Sequence, residues 1–346
     1  MKILYAASGE GYGHAIRSKP IIDFLRKKNT LKVAAGGKAR KYFLKYYPVS
    51  KVATLRLIYV NNKVSNILTV LFNVIQSPLI LLSIIKLIYI FISFKPGVVV
   101  NDFEVLSHYV ALLAGIPVIS VDNQNILAQA RITVPKGHKI DYFKTLLTIK
   151  LLSPNPTFSL VPTFFYPKVK NDRTELLYPV LREQIYTLKP SNKGHILVYQ
   201  TSKTNKVLHD VLKKSNHKCI IYGFDIEETD CNLVHKKFNE KEFFDDLASC
   251  KALITNGGFT LISEALHLKK PILSNPIAST FEQVMNAYYL DRLGYGLMAE
   301  KLDSAVLNRF LKQLPKYAKN LESYKKESNS LFFNRLGELI KIVSQG

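Results

Sequence analysis

Cysteine is scarce in this sequence. Only Cys219, Cys231 and Cys250 occur, with no C-x-x-C pair and no H-x-x-x-H nearby. An odd count without ligand spacing argues against a disulfide framework and a thiolate metal centre, and points to free thiols in a reducing compartment. Acidic side chains are also few, 26 against 48 Lys and Arg, giving a formal net charge of +22. The basic residues are spread along the whole chain, and no Arg- and aromatic-rich module gathers them. A nucleic-acid partner would rest on charge alone, so none is expected; a solvated basic surface or an anionic membrane accounts for the charge. The opening "MKILYAAS" has one Lys and too short an apolar run for a signal peptide, and reads as a strand of a cytoplasmic chain. Tandem repeats and low-complexity tracts are missing too. With 47% hydrophobic and 21% charged residues over 346 positions, the composition is that of a folded protein of two domains.

What is present is a strand–helix rhythm. "KILYAAS" precedes a helix expected from about His14 to Lys28. "LKVAAG", "GVVVNDFE" and "IPVISVDNQ" follow, each separated by helix-sized segments. This is the pattern of a parallel sheet covered on both faces. The stretch "TLKPSNKG", 187–194, reads as a linker. Beyond it the rhythm restarts with "HILVYQT", "KCIIYGF", "KALITNGG" and "KPILSNP". The last part of the chain reads as helices.

One segment departs from this pattern. "ILTVLFNVIQSPLILLSIIKLIYIFISF", 67–94, contains a single charge, Lys86, and is apolar nearly all round. Between Pro78 and Lys95 it offers about 16 residues, short of the ~20 that a membrane span needs. A buried core helix or an oligomer interface are alternatives. The expectation is a monotopic surface resting on an anionic membrane, with Ser83, Lys86 and Ser93 turned to protein or headgroups.

In "ASGEGYGHAIRSKP", 6–19, Gly9 and Gly11 begin a dinucleotide fingerprint, but His14 stands where its last glycine belongs. The second strand ends in glycines and bases, with no acid to hold a ribose. The glycines at 11 and 13 instead let a substrate approach the backbone. His14 opens a helix, where the dipole disfavours positive charge, and a neutral imidazole there suits a general base. Asp102 and Glu104 end one strand; Asp122, Asn123 and Gln124 end another. Ligands of open α/β sheets bind at such strand ends. Asp102 is the candidate to hold the second ring nitrogen of His14; the alternative is that it caps the following helix. Glu104, Asp122 and Gln124, with Gly11 and Gly13, are candidates to contact a substrate there. Two carboxylates without further spaced ligands do not make a metal site, so no metal and no other cofactor is expected.

The second half holds "ITNGGFTLISEALHLKKPILSNPIASTFEQVMNAYYLDRLGYG", 254–296. A strand ends at Asn256, Gly257 and Gly258 turn the chain, and a helix starts near Phe259 or Thr260. Its first-turn amides and the Thr260 hydroxyl suit a diphosphate. Glu264 is placed to accept from ribose hydroxyls, and Glu282, Gln283 and Asn286 from sugar hydroxyls.

These stretches carry a resemblance. The chain resembles glycosyltransferases of the GT-B fold, in the branch holding the UDP-GlcNAc transferase of peptidoglycan synthesis, the plant UDP-sugar transferases and an archaeal-type group of relatives. The matching motifs are G-G-x-x-x-x-S-E at Gly257–Glu264, K-P-I-L-x-x-P at 270–276, E-Q-x-x-N-A at 282–287 and the stretch Gly11–Pro20. Glu282 departs from the usual Asp or Gln, and Lys269 from a usual glycine. The resemblance implies two Rossmann-like domains facing across a cleft. The acceptor domain would run over 1–186 and the nucleotide-sugar domain over 187–325, with a helix at 326–346 crossing back to the first. It implies His14 as catalytic base paired with Asp102. Arg182, in "YPVLREQ", would approach the diphosphate, and Gly257, Gly258, Phe259, Thr260, Glu264, Glu282, Gln283 and Asn286 would bind the donor. The implied reaction is inverting and metal-independent, from a UDP-sugar to a lipid-linked or membrane-proximal glycan acceptor at the inner face of the cell membrane. A UDP-sugar 2-epimerase on the same fold, or a non-catalytic scaffold for a partner transferase, are the alternatives.

Overall fold

The computed structural model describes residues 1–55, 59–60, 63–64, 66–200, 206–277 and 280–345. The chain divides into two compact units. The first contains Met1–Val60, Val64–Arg182 and Glu327–Gly346, and the second is built on Glu183–Lys326.

In the first unit, β1 (Lys2–Ala7), β2 (Thr30–Ala35) and β3 (Val49–Lys51) are followed by a small ribbon of β4 (Tyr59–Val60) and β5 (Lys63–Val64). Then come β6 (Val98–Asp102), β7 (Val118–Ser120), β8 (Phe158–Pro162) and β9 (Thr174–Leu177). The main sheet has the order β3-β2-β1-β6-β7-β8-β9, with parallel pairing throughout. Strand β1 shows why this sequence makes a doubly covered sheet. Ile3, Tyr5 and Ala7 enter one core layer, while Leu4 and Ala6 enter the other. Alternating side chains are therefore apolar on both faces, as a buried parallel strand requires. The helix Tyr12–Arg26 begins two residues before the expected start at His14, directly after Gly11, whose extended backbone ends the preceding loop.

The terminal helix Ser330–Gln345 belongs to this first unit. Phe332, Leu336, Leu339 and Ile340 lie in the core layer of Ile3 and Tyr5. Each such side chain stabilises the fold by about 1.5–3 kcal/mol. Asn329, just before the helix, accepts from the Leu181 amide at 2.9 Å and donates to the Leu181 carbonyl at 2.8 Å. The chain's exit from the first unit and its return are thus pinned to each other.

The second unit holds β10 (Ile196–Tyr199), β11 (Cys219–Tyr222), β12 (Glu228–Asp230), β13 (Leu233–His235), β14 (Ala252–Thr255), β15 (Ile272–Ser274) and β16 (Gly296–Met298). Their order is β12-β13-β11-β10-β14-β15-β16, parallel except for the edge strand β12. Both main sheets reverse their strand order beside their first strand, at β1/β6 and at β10/β14. Ligands of such sheets bind at the carboxyl ends of those strands.

The apolar segment 67–94 forms two helices, Asn66–Ile75 and Ser77–Phe94. The second is neither buried all round nor free of the sheet. Leu87, Ile90, Phe91 and Phe94 pack into the core layer of Leu4 and Ala6, while Leu81, Leu82, Ile85, Ile88 and Ile92 are exposed. That exposure corrects the buried-core alternative. Of the polar stripe, Ser83 faces protein: its hydroxyl accepts from the Ala53 amide at 2.8 Å and donates to the Leu79 carbonyl at 2.7 Å. Lys86 and Ser93 are exposed.

Candidate active site

Parallel register brings the site of the first unit together. Ala7, the last residue of β1, lies opposite Asp102, the last residue of β6. The loop after Ala7 therefore passes directly over Asp102. Gly9 is forced by close approach, because a Cβ there would lie 2.5 Å from the Gly36 carbonyl carbon. Gly11 caps the helix Tyr12–Arg26 without a side chain, and Gly13 and His14 lie in its first turn.

His14 is buried, and its Nδ1 lies 2.8 Å from Oδ1 of the fully buried Asp102. Two residues that the sequence alone does not single out complete the cluster. Arg17 Nε donates to Asp102 Oδ2 at 2.9 Å, and its Nη2 donates to Oδ1. The Ser18 hydroxyl donates to Oδ2 at 2.9 Å. Positions 14, 17 and 18 share one helix face, so the i, i+3, i+4 spacing from His14 was the available signal. Arg17 Nη2 also lies 2.7 Å from His14 Nδ1. A guanidinium only donates, so Nδ1 can donate to Asp102 or accept from Arg17, but not both. The first state leaves the Nε2 lone pair available to take a proton.

Burial opposes ionisation of Asp102, but the Arg17 and His14 charges and their hydrogen bonds outweigh it and hold its pKa at about 2. The next residue, Phe103, has φ 56°, a left-handed conformation that is strained for a side chain of this size. After this kink the chain turns into the helix Val105–Leu113. Its cap is Glu104, which accepts from the Ser107 amide at 2.7 Å and the Leu106 amide at 3.2 Å. Glu104, not Asp102, is thus the residue that caps this helix. Burial raises the pKa of Glu104 despite those bonds.

Asp122, also fully buried, is engaged with its own loop. It accepts from the Ser120 hydroxyl at 2.6 Å and the Asn125 amide at 2.8 Å, and burial raises its pKa. Gln124 is half-buried beside it. Asn123 is fully buried, and neither end of its side-chain amide meets a hydrogen-bond partner among the described residues.

The second unit repeats the logic at β10 and β14. Tyr199 and Thr255 are register partners, and the next residues along meet: Asn256 Nδ2 donates to Gln200 Oε1 at 2.8 Å. Gly257 has φ 98°, and a Cβ there would lie 2.9 Å from the Gln283 carbonyl oxygen. Asn286 Nδ2 donates to the Gly257 carbonyl at 3.1 Å, and Gln283 Oε1 accepts from the Ile277 amide at 3.0 Å. Asn286 and Gln283 therefore shape the turn and the loop beside it. Glu282, next to Gln283, is half-buried in the first turn of the helix Phe281–Arg292.

The helix Phe259–His267 starts at the exposed Gly258, with no side-chain cap. First-turn amides have no intrahelical acceptor, and the helix dipole adds positive potential there. Phe259 is buried and Thr260 half-buried. Glu264 is fully buried, so its carboxylate faces protein. In K-P-I-L, Lys270 acts structurally, since its Nζ donates to the Ser191 and Cys250 carbonyls at 2.6 and 2.9 Å. Arg182 is buried at the exit of the first unit. Among the described residues no cluster of three or more His, Cys, Asp or Glu has metal-site geometry.

Two Rossmann-like sheets, a His–Asp pair at one switch point and a glycine turn opening a helix at the other, define a glycosyltransferase of the GT-B type. The family profile described as glycosyl transferase family 1 matches residues 1–315, and the chain belongs to that family. It is 28% identical over 326 residues to an uncharacterized glycosyltransferase of Methanosarcina acetivorans, covering 86% of this chain and 85% of the relative. It is 26% identical over 186 residues to the UDP-N-acetylglucosamine–N-acetylmuramyl-(pentapeptide) pyrophosphoryl-undecaprenol N-acetylglucosamine transferase 3 of Bacillus cereus, covering 48% of this chain and 51% of that protein. Among solved structures, Phytolacca americana UGT2 complexed with UDP-2-fluoro-glucose and pterostilbene superposes with a TM-score of 0.68 at 14% identity, covering 100% of this chain and 99% of that one.

Proposed function

We propose that this protein moves a sugar from a UDP-sugar to a hydroxyl of a lipid-linked or membrane-proximal acceptor at the inner face of the cell membrane, with inversion and without a metal. The observation that carries the reading is the His14–Asp102 contact at 2.8 Å in a strand-end site. With Nδ1–H donated to Asp102, Nε2 takes the proton of the acceptor hydroxyl as its oxygen attacks the anomeric carbon. The new C–O bond forms as the bond from that carbon to the diphosphate oxygen breaks, and the nucleoside diphosphate leaves with the electron pair. Amides at the start of the helix Phe259–His267 stabilise that leaving charge. Glu264, buried in that helix, is the proposed partner of the donor's ribose hydroxyls.

The lipid-linked acceptor is supported by the Bacillus cereus relative, whose name gives an undecaprenol acceptor, and by the exposed apolar face of the helix Ser77–Phe94. A thermal-shift screen of nucleoside diphosphates tests the donor half. The reading predicts that UDP raises Tm more than the other bases do; no response to any nucleotide would favour a non-catalytic scaffold.

A further inference from the structure

A second helix of the first unit shares the exposed apolar character of Ser77–Phe94. In Lys139–Leu152 only Ile149 is buried. Ile140, Phe143, Leu147 and Leu151 are all exposed, at a spacing that puts them on one stripe. The short helix Val105–Leu113 connects the two. Its Leu106, Val110 and Ala111 pack in the same core layer as Leu87, Ile90 and Phe91. Its Tyr109 hydroxyl donates to the Leu151 carbonyl, and its Leu113 is 89% exposed.

Positive charge is built in beside this stripe. An isolated antiparallel bridge pairs Ala130 with Val169. It is secured by Arg131 N to Lys168 O and Lys170 N to Gln129 O, both at 2.8 Å, and so holds Arg131, Lys168 and Lys170 together. Lys150, from the helix, is near enough to act on the same group. The Lys170 ammonium is disfavoured first by burial and then by the charges of Lys150 and Arg131. All four residues are exposed, although the Lys170 ammonium lies back on the protein and donates to the Ala128 carbonyl at 2.8 Å. Among the described residues none of the four makes an ion pair with an acid.

We propose that the helix Lys139–Leu152 and the Arg131/Lys168/Lys170 bridge form, with the helix Ser77–Phe94, one docking surface for a bilayer containing anionic phospholipid. An apolar stripe bordered by lysines matches the acyl–headgroup boundary, where side-chain burial and phosphate attraction act together. A second copy of this chain fits worse: a two-fold contact through this face would set the same uncompensated cations against each other. The inference deepens the membrane-proximal reading and rests on it, while naming a different helix and a charge cluster.

Flotation of the full chain with phosphatidylcholine vesicles, with and without phosphatidylglycerol, tests it. Wild-type protein floats with the anionic vesicles, and about 1 M salt removes the anionic preference. Lys150→Glu/Lys170→Glu loses that preference by at least tenfold, since each basic residue near an anionic leaflet strengthens binding about fivefold. Phe143→Ser/Leu147→Ser floats with neither vesicle, while its Tm and its UDP response stay those of the wild type. If only Ile88→Ser/Ile92→Ser releases the protein and both other doubles float normally, the second helix and the cluster play no part and the proposal fails, while the membrane reading stands. Wild-type protein that never floats overturns both. A dimer in lipid-free solution that Phe143→Ser/Leu147→Ser dissociates assigns the face to a second copy and also overturns the proposal.

Discussion

Arg17 sets its guanidinium against both carboxylate oxygens of Asp102, with Nε 2.9 Å from Oδ2 and Nη2 on Oδ1. Both side chains are buried. Removing one partner of a buried pair leaves the other charge uncompensated, at a cost of about 3–5 kcal/mol, whereas removing both can be near neutral. Arg17→Met is therefore expected to destabilise the chain by about 3–5 kcal/mol in urea unfolding. The double variant Arg17→Met/Asp102→Asn is expected to recover most of that. Additive losses in the double variant would show that the two charges do not depend on each other.

The pH dependence of stability has two stages with the same sign. His267 is held at about 4, chiefly by burial and then by the Lys326 charge, against an ordinary value of 6.5. The unfolded chain binds this proton first, so stability is lost as pH falls from 6.5 through about 4. Asp102 is held at about 2 against 3.8, and its contribution of about 2 kcal/mol is lost as pH falls from 3.8 through about 2. Glu104 and Asp122 are raised by burial and act in the opposite direction. Denaturation across a pH series checks this. Burial also lowers the pKa of His108, His195, His217 and His235, which act in the same direction as His267. His267→Gln should therefore shrink the upper stage without abolishing it, and Asp102→Asn should shrink the lower one.

Neighbouring glycines of the second unit should respond differently to the same substitution. Gly257→Ala meets a positive φ and a Cβ contact of 2.9 Å, so a loss of about 1–3 kcal/mol in stability is expected, with weakened nucleotide binding. Gly258 has φ −63°, and a Cβ there would meet nothing within 4 Å. Gly258→Ala should keep the wild-type Tm. If a diphosphate lies against this helix start, the variant nonetheless binds UDP more weakly. Calorimetry beside a thermal melt separates the two effects.

Glu264 is fully buried one turn into the same helix. If it accepts from the donor ribose, Glu264→Gln weakens UDP binding by about 1–3 kcal/mol, the range for a hydrogen bond to a charged group. Unchanged UDP affinity in a variant with native Tm would remove Glu264 from the donor site.

The strand–helix rhythm was legible because apolar runs such as Lys2–Ala7 and Val98–Asp102 match strands covered on both faces. The meeting of His14 with Asp102 was legible from their places at strand ends. Arg17 and Ser18 were not, because reading them requires knowing which face of the helix turns toward β6. Which of Asp102 and Glu104 caps the next helix depends on the left-handed Phe103, a conformation no residue type announces. The burial of Glu264 depends on long-range packing. The stripe Ile140, Phe143, Leu147 and Leu151 has the spacing of an ordinary core helix, and only the fold leaves it uncovered.

The proposed transfer is decided by release of UDP from a panel of UDP-sugars in the presence of a membrane-lipid extract. Wild-type protein should release UDP from at least one sugar in an acceptor-dependent way. His14→Ala should do so about 10²–10⁴-fold more slowly, the usual range for loss of a general base, while binding UDP as tightly as the wild type. No acceptor-dependent release from any sugar, or equal rates with and without His14, would contradict this mechanism.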